Sequence, residues 1–285
     1  MRSALLLLAA LLIGAAPALA DTRLKTVATF SILGDLVREV GGEQIDVVTL
    51  VGPDADAHTY QPRPTDARTL AGARVLVSNG LGFEGWIDRL AEAAGFKGKR
   101  IVASAGATSD GDPHCWQDVA CARRYVANIA EGLAAADPAN AEAYRARAAR
   151  YDARLAALDA WIRREIGSVP AERRQAITGH ASFRYFARAY DVRFNAPRGF
   201  TTESEPTARD VANLIRQVRE QKVKAVFAEN MTNPMLVAEI ARDSGAVVGP
   251  RLYSDALSKA DGPAATYEAM MRHNVTALVA GMQKN

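Results

Sequence analysis

Apolar residues fall along this chain in two rhythms. Short β-rich runs, "KTVATFSI", "IDVVTLV", "ARVLVSN" and "KRIVAS" in the first half, then "RQAITG", "VKAVFAE" and "AVVGPRLY" in the second, are separated by stretches of helical spacing. Strands alternating with helices imply parallel sheets covered by helices, so an α/β fold is predicted. Between the halves lies "DPANAEAYRARAARYDARLAALDAWIRREIGSVP", residues 137–170. In it Tyr144, Ala148, Tyr151, Leu155, Leu158 and Ile162 recur at three-to-four spacing, with arginines and acids between them. Asp137 reads as the N-cap, Pro138 as the first helical residue, and Gly167 followed by Pro170 as the stop. Roughly 30 helical residues span roughly 45 Å, more than one domain's usual helix, so this segment is expected to bridge two lobes. The expected organisation is an N-terminal α/β lobe over 21–136, one long rigid linking helix over 137–168 and a C-terminal α/β lobe over 169–285. Each lobe is expected to hold a mainly parallel sheet flanked by helices.

The opening "MRSALLLLAALLIGAAPALA" has a basic Arg2, an unbroken apolar run and a small-x-small ending ahead of polar Asp21. That pattern predicts a signal peptide over 1–20, cleaved after Ala20, and a periplasmic protein. The apolar run is shorter than the roughly 20 residues of a membrane span, and the absence of a Cys after the cleavage point argues against a lipid anchor there. The formal charge of +3 includes Arg2, and the other basic residues are interleaved with acids, so nucleic acid is not an expected partner. Two cysteines, Cys115 and Cys121, exclude a disulfide-built scaffold.

Placed on this strand map, the unusual polar residues collect in one region. His58 follows "VVTLV", His114 follows "RIVAS", His180 follows "AITG" and Asp255 follows "VVGPRLYS". All lie beyond the carboxyl ends of predicted strands, the rim where open α/β sheets bind ligands. A single histidine is more often structural than a ligand, but three in equivalent positions favour a shared role; His273, inside the final helical stretch, has no such position. Three imidazoles and one carboxylate would form a closed nitrogen and oxygen shell suited to Zn²⁺, with Mn²⁺ or Fe²⁺ accepted less tightly. Their separations of 56, 66 and 75 residues are too wide for a zinc finger and would draw both lobes onto one ion. Glu203 and Glu205 are read as the acidic approach to the helix "PTARDVANLIRQV", not as ligands. Glu229 ends its strand on the ligand rim, either orienting an imidazole or closing the lobes, and Trp86, Trp116 and Trp161 read as packing anchors.

The segments "VGPDADAHTYQPRPTDARTLAGARVLVSNGLGFEGWIDRL", "DPHCWQDVACARRYVANI", "TGHASFRYFARAYDV", "TTESEPTARDVANLIRQVREQKVKAVFAENM" and "LYSDALS" strongly resemble the metal-binding receptors of zinc and manganese ABC importers, the cluster A-I substrate-binding proteins. The resemblance runs in order from about residue 25 to 280. It implies two α/β lobes joined by a rigid helix, a bare divalent cation between them, and delivery of that ion to an ABC permease, with a periplasmic metallochaperone as a further partner and the receptor itself a monomer. Carried over by motif, it makes His58, His114, His180 and Asp255 the ligands. Zinc receptors of this family often carry a long His-rich loop before the "DPH" motif, which is replaced here by "ASAGATSDG"; manganese receptors often have Glu where this chain has His180. The nitrogen donor favours Zn²⁺, with Mn²⁺ the alternative. Cys115 and Cys121 depart from the family pattern, which usually has Asn at the second position, and a disulfide, two separate thiols and thiolate ligation all remain open.

Two other classes of function compete with a receptor. A secreted zinc metallohydrolase would keep an open metal position, but no "HExxH" is present and Asp255 would complete the shell. A receptor for a metal chelate would need a wide aromatic cleft in place of convergent histidines. The expectation is therefore binding, not catalysis.

Overall fold

The computed structural model describes residues 23–107 and 111–285. The expected signal segment, 1–20, lies outside the described residues. The first sheet contains β1 (Leu24–Phe30), β2 (Ile45–Val51), β3 (Val75–Ser78) and β4 (Lys99–Val102), in the order β2-β1-β3-β4 with every pairing parallel. Residues of β1 are almost all buried, as expected of a strand paired on both edges and covered by helices on both faces. Helices α1 (Ser31–Gly41), α2 (Pro64–Ala71), α3 (Ile87–Ala93) and α4 (Val119–Ala136) complete this lobe.

The second lobe repeats the plan with shorter strands. Its sheet has β5 (Gln175–Ile177), β6 (Arg193–Asn195), β7 (Ala225–Val226) and β8 (Val247–Val248) in the order β6-β5-β7-β8, again all parallel. The strand β6 was not anticipated, because only Phe194 of its three residues is apolar; pairing with β5 supplies what periodicity could not. Helices α6 (Arg184–Tyr190), α7 (Ala208–Glu220) and α8 (Met235–Ser244) flank the sheet. In both sheets the chain crosses over on either side of a central strand, β1 or β5, so each lobe opens a crevice at its strand ends.

Between the lobes runs α5 (Ala141–Gly167), 27 residues long, or about 40 Å at 1.5 Å per residue. Tyr144, Ala148, Tyr151, Leu155, Leu158 and Ile162, the stripe read from the sequence, are all buried, and Ile166 extends it. The start differs from expectation. Asp137 receives hydrogen bonds at Oδ2 from Asn140 Nδ2 (2.7 Å) and the Tyr144 hydroxyl (2.7 Å). Its carboxylate therefore serves side chains instead of capping backbone, Pro138–Asn140 form a 3-10 turn, and the α-helix begins at Ala141. Arginines of α5 then close helix ends in both lobes: Arg147 donates to the carbonyls of Val40 (2.7 Å) and Gly41 (2.6 Å) at the end of α1, and Arg163 to that of Ala189 (2.9 Å) in α6. The last helix, α9 (Tyr267–Met282), also touches both lobes. Its first N–H, on Tyr267, donates to Asp35 of α1 (2.8 Å), while Gly281 near its far end lies against Phe227, where a Cβ would come within 2.6 Å of the ring.

No helix among the described residues is long and apolar enough to cross a membrane. Around α5, buried side chains of the first lobe, α5, α9 and the Phe183–Phe186 corner form one continuous core. A smaller core of Ile177, Leu214, Val218, Val226 and Ile240 lies under α7 and α8.

Candidate metal centre

Each candidate ligand is held at a strand end by its own local device. After β2 the chain turns through Asp54, whose φ of 56° is left-handed, a conformation aspartate tolerates. Asp56 Oδ1 then accepts the His58 backbone N–H (2.9 Å), and Trp86 donates its indole N–H to the Ala57 carbonyl (2.9 Å). His114 follows Pro113 in the loop after β4. There Asp112 Oδ1 accepts both its backbone N–H (2.9 Å) and its Nδ1–H (2.8 Å). Gly179 and His180, beyond β5, donate backbone N–H groups to Glu229 Oε1 (2.8 and 3.0 Å), and His180 Nδ1 stands 2.6 Å from Glu229 Oε2. The glycine admits that carboxylate, since a Cβ at Gly179 would lie 3.0 Å from Oε1.

Asp255 reaches the first lobe through its neighbour. The carbonyl of Ser254 accepts from Trp116 Nε1 (2.9 Å) and Gln117 Nε2 (2.7 Å), so the turn after His114 is docked one residue from the carboxylate. A disulfide joins Cys115 to Cys121 with their Cα atoms 5.8 Å apart, tying this turn to the first turn of α4. Of the alternatives left open by the sequence, the structure takes the bridge. Closing so short a loop is worth about 2 kcal/mol in the chain-entropy account. The double variant Cys115→Ala/Cys121→Ala is therefore expected to unfold about 5 °C lower by calorimetry; an unchanged midpoint would mean that the bridge adds no stability.

The four side chains converge on one point. One donor atom from each of His58, His114, His180 and Asp255 lies within 4.8 Å of the others. Donors about 2.0–2.1 Å from a tetrahedral ion stand about 3.3–3.4 Å from one another. Here the Nε2 atoms of His58 and His114 are 3.3 Å apart, and the Asp255 carboxylate lies 3.3 Å from His58 Nε2, 3.0 Å from His180 Nε2 and 3.5 Å from His114 Nε2. Neither oxygen of Asp255 finds a well-directed hydrogen bond despite complete burial. A buried carboxylate left in that condition is costly unless a cation completes it.

Electrostatics follow the same arrangement. Burial alone would lower the titration of His114 and His180, but the Asp255 carboxylate and the Asp112 hydrogen bond raise His114, while Glu229 and Asp255 raise His180 well above the ordinary histidine value. Burial likewise works to raise Asp255 and Glu229; the imidazoles beside them outweigh it, and both carboxyls titrate below their usual range, Asp255 far below. His114 and His180 therefore hold a proton more tightly than a free imidazole does. A metal ion has to compete with that proton.

Other singled-out residues fall where their chemistry allows. Glu203 and Glu205 are exposed and outside the cluster; Glu205 pairs with Arg198, and α7 is capped instead by Thr207 with Asp210. His273 donates from Nε2 to the Arg251 carbonyl (2.8 Å). Trp86 and Trp116 are buried anchors, and Trp161 packs half-buried under the Arg272 guanidinium. The histidine partner that sequence reasoning missed is Asp112, whose only signal was a carboxylate two residues ahead of His114.

Residues 26–281 match the model of the ZnuA family, described as zinc-uptake complex component A, periplasmic. The chain belongs to the ZnuA family. Among similar proteins, the manganese-binding lipoprotein MntA of Halalkalibacterium halodurans is 33% identical over 267 residues, covering 92% of this chain and 89% of its own. The iron-binding protein YfeA of Yersinia pestis is 29% identical over 269 residues, covering 91% and 86%. Among solved structures, the periplasmic zinc-binding protein TroA of Treponema pallidum superposes with a TM-score of 0.86 at 28% identity, covering 91% of this chain and 99% of that one. The ZnuA fold of two parallel-sheet lobes and a long connecting helix is thus the fold seen here.

Proposed function

We propose that this protein is a periplasmic receptor that binds one divalent transition-metal ion through His58, His114, His180 and Asp255 and delivers it to an ABC permease. The observation that carries the reading is the buried cluster itself, with one donor from each of four side chains within 4.8 Å of the others and the His58–His114, His58–Asp255 and His180–Asp255 separations at 3.0–3.3 Å, close to the edge of one tetrahedral shell. Family membership supports the transport role. Three imidazole nitrogens against one carboxylate favour Zn²⁺ over Mn²⁺. The protein acts as a monomer on a bare ion, with lobes that correspond to 21–136 and 169–285 and a signal cleaved after Ala20. A periplasmic metallochaperone is a fitting donor of the ion. Its chemistry is capture, since four protein ligands fill a tetrahedral shell and leave no position for the reactive water of a hydrolase.

Calorimetric titration of the chelator-stripped protein with Zn²⁺ and Mn²⁺, with elemental analysis of the end point, tests this reading. One ion per chain is expected, zinc tighter than manganese. Because the titration of His114 and His180 is raised, protons compete with the ion above the ordinary histidine range as well as below it. Each displaced proton weakens binding about tenfold per pH unit while the pH stays below the imidazole's value. Zinc affinity is therefore expected to fall by at least about 100-fold between pH 7.5 and 5.5. Tight binding of neither ion would remove the metal reading, and a flat pH profile would remove the histidines from it.

A further inference from the structure

We propose that Asp56 and Thr202 form a latch between the lobes that sets how fast the bound ion leaves. The inference rests on the receptor reading above and adds a release step to it. The two oxygens of Asp56 serve different lobes: Oδ1 accepts the backbone N–H of His58 (2.9 Å), and Oδ2 accepts the hydroxyl of Thr202 (2.6 Å), in the segment between β6 and α7. One carboxylate thus ties the backbone of a metal-binding histidine directly to the opposite lobe.

The position of His58 gives that tie its consequence. His114, His180 and Asp255 are 0% exposed, whereas His58 retains 8% and occupies the side of the cluster nearest solvent. The route that needs least rearrangement for the ion to leave is therefore outward movement of His58 with its loop. That loop is fastened at its beginning by two further contacts to the second lobe: the Asp54 N–H donates to the Leu257 carbonyl (2.9 Å), and Asn230 Nδ2 donates to Asp54 Oδ1 (2.9 Å). These two hold the base of the loop. Asp56 holds its tip, and the loop cannot swing the imidazole away while the Thr202 hydroxyl remains bound. Both latch residues are half-buried, so the bond is partly shielded from competing water.

Thr202 lies outside the ligand cluster, so its loss changes the barrier to opening and leaves the donor set intact. Thr202→Val keeps the shape and removes the donor. A hydrogen bond to a carboxylate of this kind corresponds to about 10- to 100-fold in rate when it must break before release. Zinc release from the purified protein into excess chelator, followed by stopped flow at pH 7.5, is expected to accelerate about 10- to 100-fold in Thr202→Val and to return to the wild-type rate in Thr202→Ser. In an Asp56→Ala background, Thr202→Val is expected to add nothing, because the bond is already gone. The metal-free Thr202→Val protein should still unfold cooperatively, with its thermal midpoint lowered by no more than about 5 °C, the share of this one bond. Tight zinc binding by the wild type with unaltered release from Thr202→Val would overturn the latch alone; no zinc binding by the wild type would overturn the receptor reading and the latch with it.

Discussion

Replacement of Asp255 by alanine is expected to weaken zinc binding roughly 100- to 10,000-fold. Structural zinc sites with four donors are worth apparent energies of about 10–16 kcal/mol, so an equal share is about 3 kcal/mol, or more than 100-fold. Under the proposed shell Asp255 would supply more than an equal share, because it would be the one anionic donor to the dication, and its carboxylate lies within 3.0–3.5 Å of all three imidazole Nε2 atoms. Its removal also alters the metal-free protein. His114 and His180 lose the carboxylate that raises their titration, so both become easier to deprotonate. The comparison is cleanest near pH 8, where proton competition is smallest, with affinity read by chelator competition and the fold checked by thermal unfolding. Unchanged affinity would exclude Asp255 from the shell. The same variant separates receptor from hydrolase: had Asp255 been only a catalytic base, zinc would stay bound and turnover alone would disappear.

Glu229→Gln is expected to weaken zinc binding about 10- to 100-fold without adding or removing a ligand. In the native protein the carboxylate beside His180 Nδ1, at 2.6 Å, keeps a proton on that nitrogen and leaves Nε2 free to face the ion. Glutamine can still accept the Gly179 and His180 backbone N–H groups through its carbonyl, so the loop after β5 stays in place. Its amide then faces Nδ1 with a donor. Nδ1 must accept, the proton moves to Nε2, and the nitrogen that should meet the metal is blocked. Chelator competition measures the affinity, and ¹⁵N chemical shifts of the ring report which nitrogen carries the proton. An Nδ1–H tautomer in the variant, with wild-type affinity, would show that Glu229 serves the backbone alone.

Much of this arrangement is written in residue order. The spacing of Tyr144, Tyr151, Leu155, Leu158 and Ile162 needs only the 3.6-residue period to mark the buried stripe of α5, and every one of them is buried. The strand-end placement of His58, His114, His180 and Asp255 is likewise readable, because parallel strands all point their carboxyl ends to one rim. Where short segments rely on partners, local reading stops. The three residues of β6 become a strand only beside β5, and the first turn of α5 is displaced because Asp137 bonds Tyr144, a contact that exists only once the helix has formed.

By itself, then, the sequence determined the α/β plan, the two halves with a long helix between them, and which side chains stand at the functional rim, since each follows from local periodicity and chain direction. Only the tertiary structure decided that those rims face each other closely enough to bring four donors within 4.8 Å, that Cys115 and Cys121 meet, and that Asp112 and Glu229 each orient an imidazole. These are distances between atoms as much as 197 residues apart, as between His58 and Asp255. No local preference encodes such distances; they arise when the core around α5 packs the two lobes into a single register.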